Sequence, residues 1–295
     1  MMFCDFTTTT HGKWVLVGEH AVLRGHAAIV YPLRERQLRL SYTRGNHPIK
    51  VEVSGEHGAD MHRLFLYLME HAAACLGQKS QSISGSFFLE NNIPLGVGMG
   101  ASAALSVALA RWFATRDGWQ NDQTVMFARE LEHLFHGKSS GLDIAGVAAS
   151  TGILFQNGGI TPIEQNWQPN FALSSSGEVG LTAECIKRVN MLCRQDRTLA
   201  LAVDEDMQSC VIQALGALKH RTKDALITLS QAMNLASECF VAWGLVSDSL
   251  KNQMQILRDA GALAVKPTGS GLGGMIISLW ADSIIPHIDN KLHLI

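Results

Sequence analysis

Charge is scarce in this chain. Lys and Arg number 24 against 26 Asp and Glu, together 17% of residues, and the formal net charge is −2 with His neutral. An average soluble domain carries roughly 25% charged residues. Such a balance argues against nucleic acid or an anionic membrane surface as partner, because both select a basic field. No CxxC pair occurs among the six cysteines, Cys4, Cys75, Cys185, Cys193, Cys210 and Cys239. Scattered single thiols point to a reduced, cytoplasmic protein rather than a disulfide framework or a zinc site. Residues 1–5 lack the basic and apolar regions of a secretory signal. The longest weakly polar run, 94–110, holds three glycines and two serines and is too short and broken to span a bilayer. No GxxxxGK[ST] phosphate loop occurs anywhere.

What the chain has in quantity is apolar residues, 47%, and glycine, 27 of 295. A chain of this length buries a large core and divides most naturally into two domains. Short β-branched or aromatic runs at 13–17, 27–33, 37–42 and 49–53 read as strands. A helix is expected over about 60–76, with Leu64, Leu68, His71 and Cys75 on one stripe. A strand at 82–89 follows, then helices at 101–115 and 122–136, the latter capped by Asn121 or Asp122. A helical turn after Gly141 leads to a hairpin, 152–156 and 159–163, turning through Asn157-Gly158. Beyond a composition shift at 165–170, the steps of four and three from Leu199 to Leu218 are helical. Helices continue at about 223–243 and 247–260, and strands at 262–265 and 275–279 flank a glycine cluster. The shift sets the domain boundary, giving 1–167 and 168–295.

Four segments carry groups suited to chemistry. In Gly12-Lys13 through Gly18-Glu19-His20 a lysine opens a strand and a carboxylate and an imidazole follow its far end. In Pro94-Leu-Gly96-Val-Gly98-Met-Gly100-Ala101-Ser102, alternate glycines lead into a helix, an arrangement that turns N–H groups and a positive dipole end toward an anion. Gly96, Gly98 and Ala101 also satisfy GxGxxG/A, the dinucleotide fingerprint. They lie mid-chain after antiparallel-looking strands, and Arg116-Asp117 closes a helix where a second strand should end, which weighs against a Rossmann reductase. Glu130 through Asp143 holds His133 and His136 at a metal-like spacing, yet no further His/Cys cluster supports zinc. Here Glu132 could hold Mg²⁺, and Asp143 could act at a reacting hydroxyl. The fourth segment, Lys266-Pro-Thr268-Gly269-Ser270-Gly271-Leu-Gly273-Gly274, offers hydroxyls to a polar ligand if it faces a cleft.

In order and spacing, these segments resemble the galactokinase, homoserine kinase, mevalonate kinase and phosphomevalonate kinase (GHMP) superfamily, and within it the mevalonate kinases. The motifs are GK-x₄-GEHAV-x₂-G with PLRER, P-x-G-x-G-x-G-x-S-A-A, E-x₃-HG-x₂-SG-x-D and K-x-TG-x-G-x-GG, covering about 12–280. The resemblance implies an α+β, two-domain fold. Its N-terminal, ATP-binding domain would be like ribosomal protein S5 domain 2, and its ferredoxin-like C-terminal domain would complete the active-site cleft. It further implies ATP- and Mg²⁺-dependent phosphorylation of a small hydroxy acid, here the 5-hydroxyl of mevalonate, by a protein that can be a homodimer.

Carried over, Pro94, Gly96, Gly98, Gly100, Ala101 and Ser102 would wrap the ATP phosphates, and Ser102 and Glu132 would hold Mg²⁺. Asp143 and Lys13 would be catalytic, and Glu19, His20 and Thr268 would line the substrate pocket. The chain departs from the pattern at Ala101, for the first of two usual serines, and at Lys138-Ser139, where Asn-Pro is common. It departs again at Pro267, at Leu272, for a glycine, and at 178–182, where a basic residue often precedes Ser-Thr. A kinase for phosphomevalonate or another small hydroxy acid, and a non-catalytic ligand-binding protein on the same fold, are the alternatives.

Overall fold

The computed structural model describes residues 4–55, 57–136, 139–282 and 293–294. Gly137 and Lys138 fall outside them. Two compact units divide the chain. One comprises Met1–Lys13, Pro32–Leu95 and Met99–Ser150, the other Trp14–Tyr31, Gly96–Gly98 and Thr151–Ile295.

The first unit holds the outer part of β1 (Phe6–Val17), most of β2 (Ala28–Pro48), β3 (Lys50–Gly55) and β4 (Ser84–Asn91). Its helices are α1 (Gly58–Cys75), α2 (Ala101–Asp117), α3 (Asn121–His136) and α4 (Leu142–Ala148). β2 runs antiparallel to β4, with Leu40 opposite Leu89, and β3 runs parallel to β4. The parallel pair is joined through α1, since parallel neighbours need a crossover rather than a hairpin. Tyr42, Phe65, Phe87 and Trp112 meet between sheet and helices, with ring centroids 4.8 Å apart for Tyr42–Phe87, 5.1 Å for Phe65–Phe87 and 5.0 Å for Phe87–Trp112. α2 is buried almost all round and packs against both α3 and α4. A helix apolar on every side belongs in a core, and this one brings its N-terminus beside α4.

Three expectations need correction here. The runs 27–33 and 37–42 are one continuous strand, β2, whose polar interruption Arg34–Arg36 stays extended. Arg34 donates to the Ser150 carbonyl and Arg36 to that of Asn92 at 3.2 Å, so backbone carbonyls in the loops beside the strand partner both guanidinium groups. On α1 the buried stripe is Met61, Phe65, Leu68, Met69, Ala72 and Ala73; Cys75 is exposed, and Leu64 and His71 are half-buried. Finally, α3 is entered at Gln120, whose N–H donates to Gln123 Oε1 at 3.0 Å, one residue before the expected cap.

In the second unit the first residues of β2 pair with β5 (Ile153–Gln156), which turns through Asn157-Gly158 into β6 (Gly159–Pro162). A second sheet has the order β10-β7-β9-β8, from β7 (Asn170–Ser175), β8 (Ala264–Thr268), β9 (Met275–Trp280) and β10 (His293–Leu294), all antiparallel. Pro267 is tolerated in β8 because that strand is an edge of the sheet. Four helices follow, α5 (Thr182–Gln195), α6 (Arg197–Leu218), α7 (Lys223–Ala242) and α8 (Asp248–Asp259): α7 and α8 pack on the sheet, α6 packs on α7, and α5 on α6. α8 closes on the sheet through Leu250, Met254 and Leu257 against Val265, Ile276 and Trp280. α7 is the one helix among the described residues long and apolar enough to cross a bilayer. It packs against α6 and β8 and buries Leu229, Met233, Ala236 and Phe240, as a core helix does.

Candidate active site

Asp143 is the second residue of α4 and Lys13 lies near the middle of β1; Lys13 Nζ stands 2.8 Å from Asp143 Oδ1. Lys13 is buried, with 4% of its side chain exposed, whereas Asp143 keeps 29%. A buried ammonium needs a counter-charge, and Asp143 supplies it while still facing solvent. The Lys13 backbone N–H donates to the Met99 carbonyl at 2.9 Å, tying the lysine to the glycine-rich loop. Gly100 has φ +81°, and a Cβ there would lie 3.0 Å from both Lys13 Cγ and Val147 Cγ1. Only glycine lets the loop pass so close over the lysine stem.

Glu132 comes from α3 and is buried. Ser139 Oγ donates to its Oε2 at 2.5 Å and accepts from the Gly141 N–H at 3.1 Å. The departure Lys138-Ser139 therefore leaves Ser139 bracing the carboxylate and ordering the entry to α4. Glu132 Oε1 is buried with no hydrogen-bond partner among the described residues. Burial, and next the charge of Asp143, push the Glu132 carboxyl up to about 8; Ser139, Lys13 and Arg129 act in the opposite sense. A buried carboxylate oxygen with no donor, beside a second carboxylate, suits a divalent cation. Among the described residues no group of three or more His, Cys, Asp or Glu forms a cage. Mg²⁺ typically takes one or two protein ligands and fills its shell with water and phosphate oxygens. Ser102 lies in the first turn of α2, whose N-cap is Gly100, with no acidic residue in that turn. The first N–H groups of the helix are thus left to an anion, with the dipole in its favour. The metal-like spacing at 133–136 leads elsewhere, since His133 Nδ1 lies 3.6 Å from Glu130.

The second unit carries the remaining groups. Gly96 and Gly98 have φ +76° and +81°, and Pro94 precedes them, half-buried. A Cβ on Gly98 would stand 3.8 Å from the Thr268 carbonyl oxygen, and one on Gly274 would stand 3.0 Å from that of Val97. The two glycine loops singled out by sequence are therefore neighbours here. The segment 178–182 packs on them by its backbone. Gly274 N–H donates to the Glu178 carbonyl at 2.7 Å, and a Cβ at Gly180 would meet the Gly271 oxygen at 2.4 Å. No side chain fits at Gly180 without moving backbone. Leu272 keeps a left-handed conformation, φ +57°, with its N–H on the Leu245 carbonyl at 2.7 Å, so the loop retains a glycine-like turn without the glycine.

Glu19, His20 and Thr268 are all buried. Thr268 Oγ1 accepts from the Val15 N–H and donates to the Val15 carbonyl, each at 2.9 Å. His20 Nε2 donates to the Ser270 carbonyl at 2.8 Å, and its ring sits edge-on to Phe240 and Trp243. Burial lowers the His20 pKa to about 4; the bond to Ser270 and the charge of Asp204 work against this, and Arg24 with it. Sequence reasoning missed three partners. Lys266 is fully buried against Glu19, Arg24 forms a two-pronged pair with Asp204 of α6, and Ser139 braces Glu132. The available signal for Lys266 was a lone charge amid an apolar strand run, Ala264-Val-Lys-Pro-Thr268.

Comparison with known proteins follows the same lines. Residues 64–152 match the family described as GHMP kinases N terminal domain, and residues 213–283 match GHMP kinases C terminal. Mevalonate kinase of Aeropyrum pernix is 27% identical over 289 residues, covering 92% of this chain and 87% of that protein. The crystal structure of L. major mevalonate kinase in complex with R-mevalonate superposes with a TM-score of 0.78 at 24% identity, over 95% of this chain and 88% of that one. Streptococcus pneumoniae phosphomevalonate kinase, in complex with phosphomevalonate and AMPPNP, has a TM-score of 0.71 at 16% identity, over 94% and 92%. The structural likenesses establish a shared fold.

Proposed function

Because this chain belongs to the GHMP kinases, we infer that it transfers the γ-phosphoryl group of ATP to the 5-hydroxyl of mevalonate, giving 5-phosphomevalonate and ADP. The observation that carries this reading is the Lys13–Asp143 pair at 2.8 Å beside Glu132, whose buried Oε1 has no partner among the described residues. Phosphoryl transfer asks the protein mainly to position groups and to neutralise charge around a loose transition state. Asp143, the accessible member of the pair, accepts or orients the acceptor hydroxyl proton. As the new O–P bond forms and the bond to the ADP leaving oxygen breaks, negative charge on the attacking oxygen is met by the Lys13 ammonium. The N–H groups of residues 96–102, including the uncapped first turn of α2, would bind the phosphates. Ser102 and Glu132 would hold Mg²⁺, which when bound supplies positive charge to the phosphate oxygens and relieves the uncompensated Glu132 carboxylate. Glu19, His20 and Thr268 line the acceptor side, Thr268 by shaping β1 through Val15.

The acceptor is the element of this reading that fold alone leaves open, since a phosphomevalonate kinase shares the architecture. Coupled ADP-release assays with mevalonate, phosphomevalonate, galactose and homoserine decide it. Turnover with mevalonate, exceeding the others by at least tenfold in kcat/KM, is the expected result. Turnover confined to another acceptor overturns the assignment, and ATP binding without turnover on any acceptor supports a ligand-binding protein instead.

A further inference from the structure

Lys266 is fully buried, as few lysines are. Its ammonium is nonetheless fully engaged. It lies 2.5 Å from Glu19 Oε1, donates to the Pro267 carbonyl at 2.6 Å, and sits 5.2 Å from the centre of the Phe240 ring. Removing two charges from water costs more than their attraction commonly returns, so a well-packed apolar pair would serve stability at least as well. The best-attested use of such a pair is to fix register.

The neighbouring contacts show which register is being set. Residues 266, 268 and 270 alternate along the end of β8 and its continuation, and each is bonded to the segment 15–20. Lys266 holds Glu19, the Thr268 hydroxyl both accepts from and donates to Val15, and the Ser270 carbonyl accepts from His20. A strand repeats its facing every two residues, so the first two rungs stand on one side of β8. Glu19 and His20 occupy a turn in which His20 has φ +48°, a conformation that a β-carbon residue keeps only when its surroundings impose it.

We propose that Lys266 is a positioning residue: through Glu19 it locks the Gly18–His20 turn to the 268–270 segment and so sets the acceptor-lining surface. This rests on the phosphotransfer reading for the identity of that surface. The coupling of the two segments stands on the contacts alone.

The test is K266M, which keeps an unbranched side chain one atom shorter and removes the charge, with K266R as the charge-retaining rescue. Expected for K266M is a loss of at least tenfold in kcat/KM for whichever acceptor the wild-type enzyme turns over. The KM for ATP stays within twofold, and K266R recovers part of the acceptor loss. Amide hydrogen exchange on the same proteins needs no acceptor, so it separates failure of this inference from failure of the mevalonate assignment. Backbone amides in 15–20 and in 268–272 should exchange together, at least tenfold faster in K266M. Wild-type acceptor constants, equal losses toward ATP and acceptor, or faster exchange confined to one segment would each overturn the proposal. If K266M does not accumulate as folded protein, K266Q is judged by the same readings and decides the matter.

Discussion

Replacing Asp143 by Asn separates catalysis from stability, because the two effects of the change differ in size. Asn keeps the shape and can still accept a hydrogen bond from Lys13, but the ion pair at 2.8 Å becomes a bond to a neutral group. Two unit charges at 4 Å attract by about 4 kcal/mol at an effective dielectric near 20, before the cost of holding them out of water is subtracted. With 29% of the Asp143 side chain exposed, the net worth of the pair is about 1–2 kcal/mol. A second effect offsets part of this loss. The Asp143 charge is the second largest cause of the raised Glu132 pKa, so its removal makes the buried Glu132 carboxylate cheaper to ionise. Stability should therefore fall by no more than about 2 kcal/mol, and the melting temperature by roughly 4–8 °C at about 2–4 °C per kcal/mol. Turnover should fall by at least ~10²-fold, the low end for a lost proton-transfer group. That equals about 2.7 kcal/mol at the barrier, at 1.36 kcal/mol per factor of ten. Steady-state ADP release with ATP and acceptor varied separately, alongside thermal melting by circular dichroism, reads both quantities. A kcat within tenfold of wild type at a temperature where the variant is folded would refute the role given to Asp143.

Two further outcomes follow from a buried imidazole and a close backbone approach. His20 has its pKa lowered by burial from 6.5 to about 4. A depressed histidine stabilises the fold fully above the unfolded-state pKa and loses that contribution as pH falls through the folded one. Stability should decline between about pH 6.5 and 4, by about 3 kcal/mol in all from this residue at 1.36 kcal/mol per unit. Urea melts of wild type and H20N over this range should show a slope that the variant lacks, and equal slopes would refute it. At Gly180 a Cβ would lie 2.4 Å from the Gly271 oxygen. G180A should cost about 1–3 kcal/mol, as overpacking does, read as a lowered denaturant midpoint, and an unchanged midpoint would mean that the loops separate without penalty.

Much of the fold was legible because its periodicities are strong. The hairpin at Asn157-Gly158, the helices α6 to α8 and the glycine-led start of α2 appear where spacing and turn chemistry place them. The failures have physical causes. β2 looked like two strands because Arg34–Arg36 is polar, and the partners that absorb those charges, Ser150 and Asn92, are distant in sequence. α5 went unread because only Cys185 and Val189 of its fourteen residues are buried, too sparse a stripe to register. β8 extends through Pro267, which reads as the start of a loop, so Lys266 and Thr268 were assigned to the loop and not to a buried strand.

The candidate site divided in the same way. Local motifs brought Lys13, Glu132 and Asp143 forward, and all three lie in one cluster. What no motif could disclose was how they are held. Ser139 under Glu132 falls at an unspecified position of its own motif, and Lys266 behind Glu19 and the Thr268 hydroxyl spent on Val15 are contacts spanning more than 200 residues of sequence.

The central claim concerns where a phosphoryl group goes. Incubating the protein with ATP, Mg²⁺ and R-mevalonate and following the phosphorus signals by ³¹P NMR tests it directly. One new phosphate monoester signal, coupled to the protons of carbon 5 and growing in step with ADP, is the result expected. No ester signal from mevalonate, under conditions where the same protein phosphorylates a different hydroxyl compound, would contradict it.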